Sequence, residues 1–436
     1  CRFDCGSLWR FLRRCIGASA RPCALAIAIP WRGAPSCHPN ESCGSPLLRL
    51  HASRSDQKQA HRMPAEEICV PDVDVAILGG GCAGLSLAAR LARTRLSFRV
   101  IEPRMRYTDD RTWSFWRTRG DPFQDCVRAS WREWTIEGPR GLTRKGSRKI
   151  PYQTVSAGAF YDRALALIDA AGGGAIALDV QGGAAKPAAA GMTVDTTDGG
   201  FTARHVIDTR PPSRRATFGQ FFLGREIVTA GAVFDPKTVQ LMHFRRGHSA
   251  GIDFLYVLPF ARDRALVEVT SFAPLPPSQA ALAAWLDAEI AALGADDHTV
   301  LRQEAGALPM EVGYRTAPVP GVTHLGLAGG AARPSTGYAF QRIQAQADRV
   351  TESLLRDDTV HVPGDTRFSR FMDRVFLRVL ATAPERGPAI FESLFRNAPA
   401  ERLARFLSGS TRADDRLSVM ASLPPLPFLR AASGLA

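Results

Sequence analysis

Glu268 stands in the stretch ALVEVTSF, residues 265–272, flanked by Leu266, Val267 and Val269. The β-branched and apolar residues predict a half-buried strand. A carboxylate placed among them is costly to bury unless it is paired or protonated. A carboxyl kept neutral by apolar surroundings is a proton donor, because desolvation raises its pKa and holds the proton ready. Strand alternation sets Leu266, Glu268, Thr270 and Phe272 on one face, an apolar neighbourhood with one hydroxyl to orient the acid. The plain alternative is a glutamate on an exposed sheet face, or one paired to Arg262 or Arg264 in the preceding turn.

A second constellation reads as phosphate chemistry. Gly79, Gly81 and Gly84 form GxGxxG between the apolar run DVDVAIL and the amphipathic CAGLSLAARLART, and SFRVIEPR ends a second strand at Glu102, 23 residues after Gly79. Such glycines let the backbone approach a pyrophosphate at a helix N-terminus, and the acid binds ribose hydroxyls. An acid rather than an arginine at position 102 argues against a 2′-phosphate, so FAD or NAD is expected, and this position does not separate them. Asp109, Asp110 and Arg111 precede the aromatic run Trp113, Phe115, Trp116. They read either as a loop capped by local hydrogen bonds or as a second acid or base near the cofactor.

The elements that must position these groups follow from the pattern. The chain opens as a βαβ unit, and IALDV, GMTVDTTD and FTARHVIDT read as a small β-meander. From Ala216 to about Met310 alternation dominates, including the hairpin IDFLYVLPF-ARDR-ALVEVTSF. THLGLAGGAARPSTGYAFQRIQAQADRVTESLL then returns to strand, glycine loop and long helix. The expected fold class is α/β: a Rossmann-like dinucleotide domain (63–215, closed by 311–360) interrupted by an antiparallel β substrate domain (216–310), with a C-terminal helical region (361–436). FAD proteins use such a closing element, so FAD becomes the favoured cofactor. RFSRFMDRVFLRVL and FESLFRNAPAERLARFLSG are basic amphipathic helices; they pack with a solvated basic face or lie against an anionic membrane.

Taken together, LGGGCAGLSLA, DDRTWSFW, YVLPF, LVEVTSF, EAGALPM and ARPSTGYAFQRIQ, in that order from about residue 72 onward, resemble the lycopene cyclases of the bacterial and plant type. The resemblance implies a flavoprotein that cyclises the linear ψ ends of lycopene to β rings without net redox change, holding FAD reduced by external NAD(P)H. It implies Glu268 as the catalytic acid, with Val269 where relatives usually carry a second acid, and Asp110 and Arg111 as further catalytic candidates. Trp113, Phe115, Trp116 and Thr270 would meet the substrate. Cation stabilisation by aromatic faces extends the candidates to Trp131, Trp134, Phe221 and Phe222, each of which reads equally as plain core. Gly329, Gly330, Pro334, Thr336 and Gly337 would carry backbone amides to the flavin, with Leu327 in the place of a ribitol-binding Asp. His243, where relatives tend to show Asp, reads as structural or exposed. Other implied partners are a membrane surface and neighbouring carotenoid enzymes. A flavin hydroxylase or polyprenyl reductase on the same fold is the competing class, marked by net consumption of NADPH; a carotenoid-binding protein with structural flavin is a third.

Composition sets the outer limits. Hydrophobic residues make up 45% and charged residues 22%, as in an ordinary globular chain. No apolar run approaches the roughly 20 residues needed to span a bilayer, so a cytoplasmic, peripherally attached protein is expected. The net charge of +13 is concentrated in residues 1–62, which hold ten Arg or Lys against three Asp or Glu. The mildly basic remainder gives no reason to expect nucleic acid as a partner. Six of nine cysteines also lie in that segment, and no CxxC or His pair has metal-ligand spacing. Residues 1–62, Arg- and Ser-rich, read as a transit peptide or, preferably, as translated upstream sequence with Met63 as the start.

Overall fold

Apolar residues in short β-branched runs build a parallel sheet first. The computed structural model describes residues 70–172, 174–212, 214–245 and 248–434, within the compact unit Glu67–Ala436; the expectations for residues 1–62 lie outside them. Strand β1 (Val73–Leu78), helix α1 (Cys82–Leu91) and strand β2 (Phe98–Glu102) form the expected βαβ opening, with β1 and β2 in parallel register. Next come β3 (Thr112–Trp116), β4 (Val127–Trp131), β5 (Glu133–Gly138), β6 (Gly141–Gly146) and β7 (Tyr152–Ser156). Helix α2 (Ala157–Asp169) leads into β8 (Gly174–Leu178), β9 (Gly182–Ala188), β10 (Gly191–Thr196) and β11 (Phe201–Asp208). The first sheet runs β8-β2-β1-β11-β10-β9. Strand β8, expected in the meander, instead pairs in parallel with β2, and the meander takes β9 in its place. The sequence GGAAKPA of β9 hid it, because its residues are exposed or half-buried on a sheet edge that needs no apolar alternation.

A larger sheet carries the opening puzzle. It comprises β12 (Gly219–Thr229), β13 (Thr238–Arg245), β14 (Ile252–Pro259), β15 (Arg264–Ala273) and, after helix α3 (Gln279–Ala292), β16 (His298–Pro309). Their order is β16-β12-β15-β14-β13, extended by β5 and β6, with β5 joining β13 in parallel. The sheet is therefore antiparallel through residues 219–309 and mixed at one side. Its alternation separates two cores. Ala265, Val267 and Val269 of β15 pack on α3 with Trp285 and Leu286, whereas Leu266 and Phe272 face the C-terminal helices and the Trp116–Trp134–Tyr152 cluster.

Short β17 (Val322–His324) pairs with β11 and returns the chain to the first sheet. Helix α4 (Phe340–Asp357) then packs on α1, burying Phe340, Ile343, Ala347, Val350 and Leu354 at helical spacing. Helices α5 (Arg367–Thr382), α6 (Gly387–Asn397), α7 (Ala400–Leu407), α8 (Ala413–Ala421) and α9 (Pro425–Ser433) complete the fold.

Gly84 fixes the approach of α1 to β1: a Cβ there would lie 1.9 Å from the Gly79 carbonyl oxygen. A backbone oxygen at a strand end cannot swing aside. Gly84→Ala is accordingly expected to cost about 3 kcal/mol, seen as a lower midpoint in urea unfolding; an unchanged midpoint would contradict this packing.

Candidate active site

Glu268 is 7% exposed and projects into a cavity of about 580 Å³. Leu266, Thr270 and Phe272 line the same cavity, as strand alternation requires. The hydroxyl of Thr270 donates to Oε1 of Glu268 at 2.9 Å. Neither alternative partner reaches it: Arg264 turns to Glu226 at 2.6 Å, and Arg262 lies in the turn before the strand. Burial raises the Glu268 carboxyl, the charge of Glu304 adds to this, and the Thr270 hydrogen bond only partly offsets both; the result is a pKa of about 8. Glu226 shows the opposite outcome on a neighbouring strand. Burial pushes it up as well, but hydrogen bonds from Arg128, Arg302 and Arg264 outweigh burial and bring it to about 2. The difference between an acid held neutral and one held charged is the presence of guanidinium groups.

Around Glu268 the walls are aromatic and apolar. Phe222, Phe254, Tyr256, Tyr152, Leu241, Phe391 and Phe395 line the cavity. The Tyr152 and Tyr256 hydroxyls meet at 3.0 Å, and burial holds both phenols well above their ordinary pKa, hence neutral. Sequence reasoning missed these tyrosines, because Tyr152 and Tyr256 are distant in the chain and their strands belong to different sheets. It also missed Glu304 as an individual residue. Glu304 was visible only as the first letter of EAGALPM, although strand spacing in QEAGALP places it on the face of Gly306 and Leu308. The carboxyl is 5% exposed, lines the cavity, and is raised by burial against the pull of Arg302.

At its other end the cavity passes Gly79, Gly81, Cys82, Ala83 and Glu102. Gly79 adopts φ +95°, open to glycine. Helix α1 starts at an N-cap, Gly81, whose position offers no side-chain hydrogen bond, and a Cβ built on it would meet nothing within 4 Å. The first amides of α1 thus face open space, which suits a pyrophosphate. Glu102 accepts from the Gly80 amide at 2.6 Å and from Arg104 at 2.8 Å. The Tyr107 hydroxyl beside Gly80 is buried without a hydrogen-bond partner. Thr336, Gly337 and Ala339 close the same cavity ahead of α4, whose N-cap also lacks a side-chain bond. Gly337 has φ +73°, and a Cβ there would lie 2.6 Å from Oε1 of Gln220. Two uncapped helix starts, an open glycine cradle and an orphaned hydroxyl fit an adenine dinucleotide.

Other candidates divide between the cavity and its supports. Asp110 and Arg111 line the rim, paired at 3.0 Å, with Arg111 58% exposed and Asp110 also accepting from Tyr161. Trp113 lines the cavity and stacks on Phe340 at 5.9 Å. Phe115 and Trp116 lie outside its lining: Phe115 stacks on Phe340 at 4.8 Å, and Trp116 packs edge-on to Trp134 and Tyr152. The cavity touches only the half-buried start of β3, Thr112, Trp113 and Ser114, while Phe115 and Trp116 are buried beyond it. Trp131, Trp134 and Phe221 are likewise core residues, whereas Phe222 reaches the cavity. The amides of Gly329 and Gly330 donate to the Gly326 and Leu327 carbonyls of their own turn, which leaves them unavailable in place of the missing acid at Leu327. Pro334 shapes the turn in which Gly337 donates to Arg333. His243 sits in the core against Thr135 at 2.9 Å, its pKa lowered by burial to about 4. Among the described residues no group of His, Cys, Asp or Glu has metal-binding geometry.

Fold and site together define a dinucleotide-binding fold of the flavoprotein kind joined to a largely apolar cavity holding a buried acid. Solved structures agree on the fold: a geranylgeranyl bacteriochlorophyll reductase-like protein from Thermoplasma acidophilum aligns at TM-score 0.56 and 14% identity, covering 84% of this chain and 99% of its own. A flavin-dependent monooxygenase in complex with FAD and substrate aligns at TM-score 0.52 and 14% identity, over 84% of this chain and 72% of its own. Residues 74–433 match the lycopene cyclase protein family, and the chain belongs to it. Lycopene beta-cyclases of Paracoccus sp. (strain N81106 / MBIC 01143) and Pseudescherichia vulneris are 27% and 26% identical, each over 81% of this chain and 95% of the relative.

The raised pKa has a thermodynamic signature. Between the ordinary glutamate value of 4.5 and about 8, the unfolded chain has lost a proton that the folded chain keeps, so stability falls as pH rises through this window. Glu268→Gln removes the effect. The variant is expected to be more stable than the parent at pH 8, by an amount on the order of a few kcal/mol, with the gap shrinking toward pH 5. Denaturant unfolding at both pH values checks this, and equal gaps would contradict a neutral buried acid.

Proposed function

We propose that the protein cyclises the linear ψ ends of lycopene, or a related acyclic carotenoid, to β rings, with reduced FAD bound. One observation carries the reading: a carboxyl with no cationic partner among the described residues is buried in an aromatic cavity continuous with the dinucleotide cleft. The relatives named for this reaction support the substrate class. Within this proposal residues 63–215 and 311–360 hold the cofactor, 216–310 hold the substrate, and 361–436 face the membrane.

Glu268 transfers its O–H proton to the terminal alkene, leaving a tertiary cation on the neighbouring carbon. The next double bond attacks that cation, the six-membered ring closes, and loss of a ring proton restores a double bond. No electrons are gained or lost. The acid must be neutral to act and must sit in hydrocarbon surroundings, and burial without a counter-cation meets both needs. Phe222, Phe254, Tyr256, Phe272 and Trp113 line the cavity and offer aromatic rings to stabilise a cation, and the apolar part of the lining disfavours water that would trap it. Gly79, Gly81, Glu102, Thr336 and Gly337 would hold FAD, and the cofactor, if kept reduced by external NAD(P)H, would supply negative charge to the site.

A bilayer-dissolved substrate requires docking at a membrane, and among the described residues no helix is long and apolar enough to cross one. We assign docking to the packed pair α5 and α9. They expose Phe371, Leu426 and Leu429 together with Arg367, Arg370, Arg374 and Arg430, the mixture that suits an anionic lipid surface.

Lycopene-accumulating cells expressing the chain are expected to form cyclised carotenoid, and Glu268→Gln to retain flavin while losing at least about 100-fold in rate. Equal conversion by both would remove Glu268 from the chemistry. Paired Leu426→Asp and Leu429→Asp changes are expected to reduce co-sedimentation with anionic vesicles while leaving bound flavin unchanged; undiminished binding would move docking elsewhere.

A further inference from the structure

We propose that Glu304 is the base that removes the ring proton, and that Gly224 is the spacer holding it opposite Glu268. The proposal deepens the cyclase reading and rests on it. Strands β16, β12 and β15 are neighbours, and one residue of β12 stands opposite both carboxyls: Gly224 pairs with Glu304 on one side and with Glu268 on the other. Three residues in one cross-strand row share a sheet face, and both glutamates line the cavity. With strands about 4.8 Å apart, the two glutamate Cα positions stand roughly 10 Å from each other, with only glycine between them. A Cβ at Gly224 would lie 3.2 Å from the Glu268 Cβ and 3.3 Å from Leu266 Cδ1, so any side chain would fill the slot between the two acids.

The two carboxyls have unlike partners. Glu268 takes one hydroxyl donor, Thr270, and no cation. Glu304 takes the Arg302 guanidinium at 2.6 Å and the Thr112 hydroxyl at 2.9 Å. Burial raises both carboxyls, but Arg302 and Thr112 oppose it at Glu304, and the charge of Glu304 helps Glu268 keep its proton. Arg302 also reaches Glu226 at 2.8 Å, a carboxylate it shares with Arg128 and Arg264, and lies 3.8 Å from Asp109, so Glu304 is one of several acids around this guanidinium and the one that lines the cavity with Glu268. Environments that push two neighbouring carboxyls apart assign acid and base.

The step balances. The Glu268 O–H bond breaks as a C–H bond forms at the terminal alkene, and the ring C–C bond forms. The C–H bond on the ring carbon that bears the polyene then breaks toward Glu304, its electron pair becoming the ring double bond. Glu268 ends ionised and Glu304 protonated; one proton returned from Glu304 to Glu268 resets the site, with nothing oxidised or reduced.

Product identity tests this better than rate, since a structural residue would slow the reaction without changing where the proton leaves. The parent chain, Glu268→Gln, Glu304→Gln and Glu304→Asp are expressed in lycopene-accumulating cells, with pigments resolved by chromatography and flavin read by absorbance. Glu304→Gln is expected to keep flavin, to slow by about 100-fold, and to yield rings whose double bond lies elsewhere or that carry a captured hydroxyl. Glu304→Asp is expected to restore part of the normal product. Unchanged products from Glu304→Gln, at full or reduced rate, overturn the proposal while leaving the cyclase reading intact. Absence of cyclised pigment from the parent chain, or full activity of Glu268→Gln, strikes the underlying reading instead. Should Glu304→Gln fail to fold, Thr112→Val decides: it keeps the carboxyl and its Arg302 partner but removes one of the two groups that hold it, and is expected to give the same by-products in smaller amount, whereas β rings alone overturn the assignment.

Discussion

Keeping one carboxyl uncharged inside the protein is the constraint on which the rest of the structure depends. A buried carboxylate recruits cations, and this protein has many: Arg128, Arg264 and Arg302 all converge on Glu226. The fold keeps them off Glu268 by geometry. In the row containing Glu226, the neighbour on β15 is Leu266 and the neighbour on β16 is Arg302. Two residues further along, on the same face, the strand positions carry Glu304, Gly224, Glu268 and, on β14, Tyr256. Arginine is thereby confined to one side of the sheet face, and aromatic surface fills the other.

Such an arrangement needs several layers to enclose it. The large sheet supplies the acid-bearing wall, β3 and β7 bring Trp113 and Tyr152, and the C-terminal helices contribute Phe391, Phe395 and Leu407. The loop before α4 joins the cofactor end to those helices. Arg333 is buried, donates to the Phe406 carbonyl, and lies over the Phe406 ring at 4.3 Å. Ser335 donates to Asp373 of α5 at 2.7 Å. Through these contacts the turn carrying Thr336 and Gly337 is tied to the wall of the hydrocarbon cavity. A shift of the helices would therefore be felt at the dinucleotide cradle.

Local rules made much of this legible. Glycine spacing, a strand ending in Glu102 and an amphipathic helix announce a dinucleotide fold because each needs only neighbouring residues to be understood. Period-two alternation placed Leu266, Glu268, Thr270 and Phe272 on one face for the same reason, and all four line the cavity. Strand β9 and the parallel joining of β5 to β13 were hidden, since edge and crossover pairings leave no mark on the apolar pattern of one segment.

By itself, then, the sequence determined the cofactor-type fold, the face on which Glu268 lies and the anomaly of a carboxyl among β-branched residues. Whether that carboxyl was neutral or paired was decided by tertiary structure alone, because its pKa depends on burial by elements packed from elsewhere and on Glu304, far along the chain. The same holds for the aromatic residues. Trp113 and Trp116 occupy one short strand and look alike in sequence, yet one faces the cavity and the other is sealed against Trp134 and Tyr152. Sequence spacing sets which face a side chain takes, but only packing between elements decides what stands opposite it.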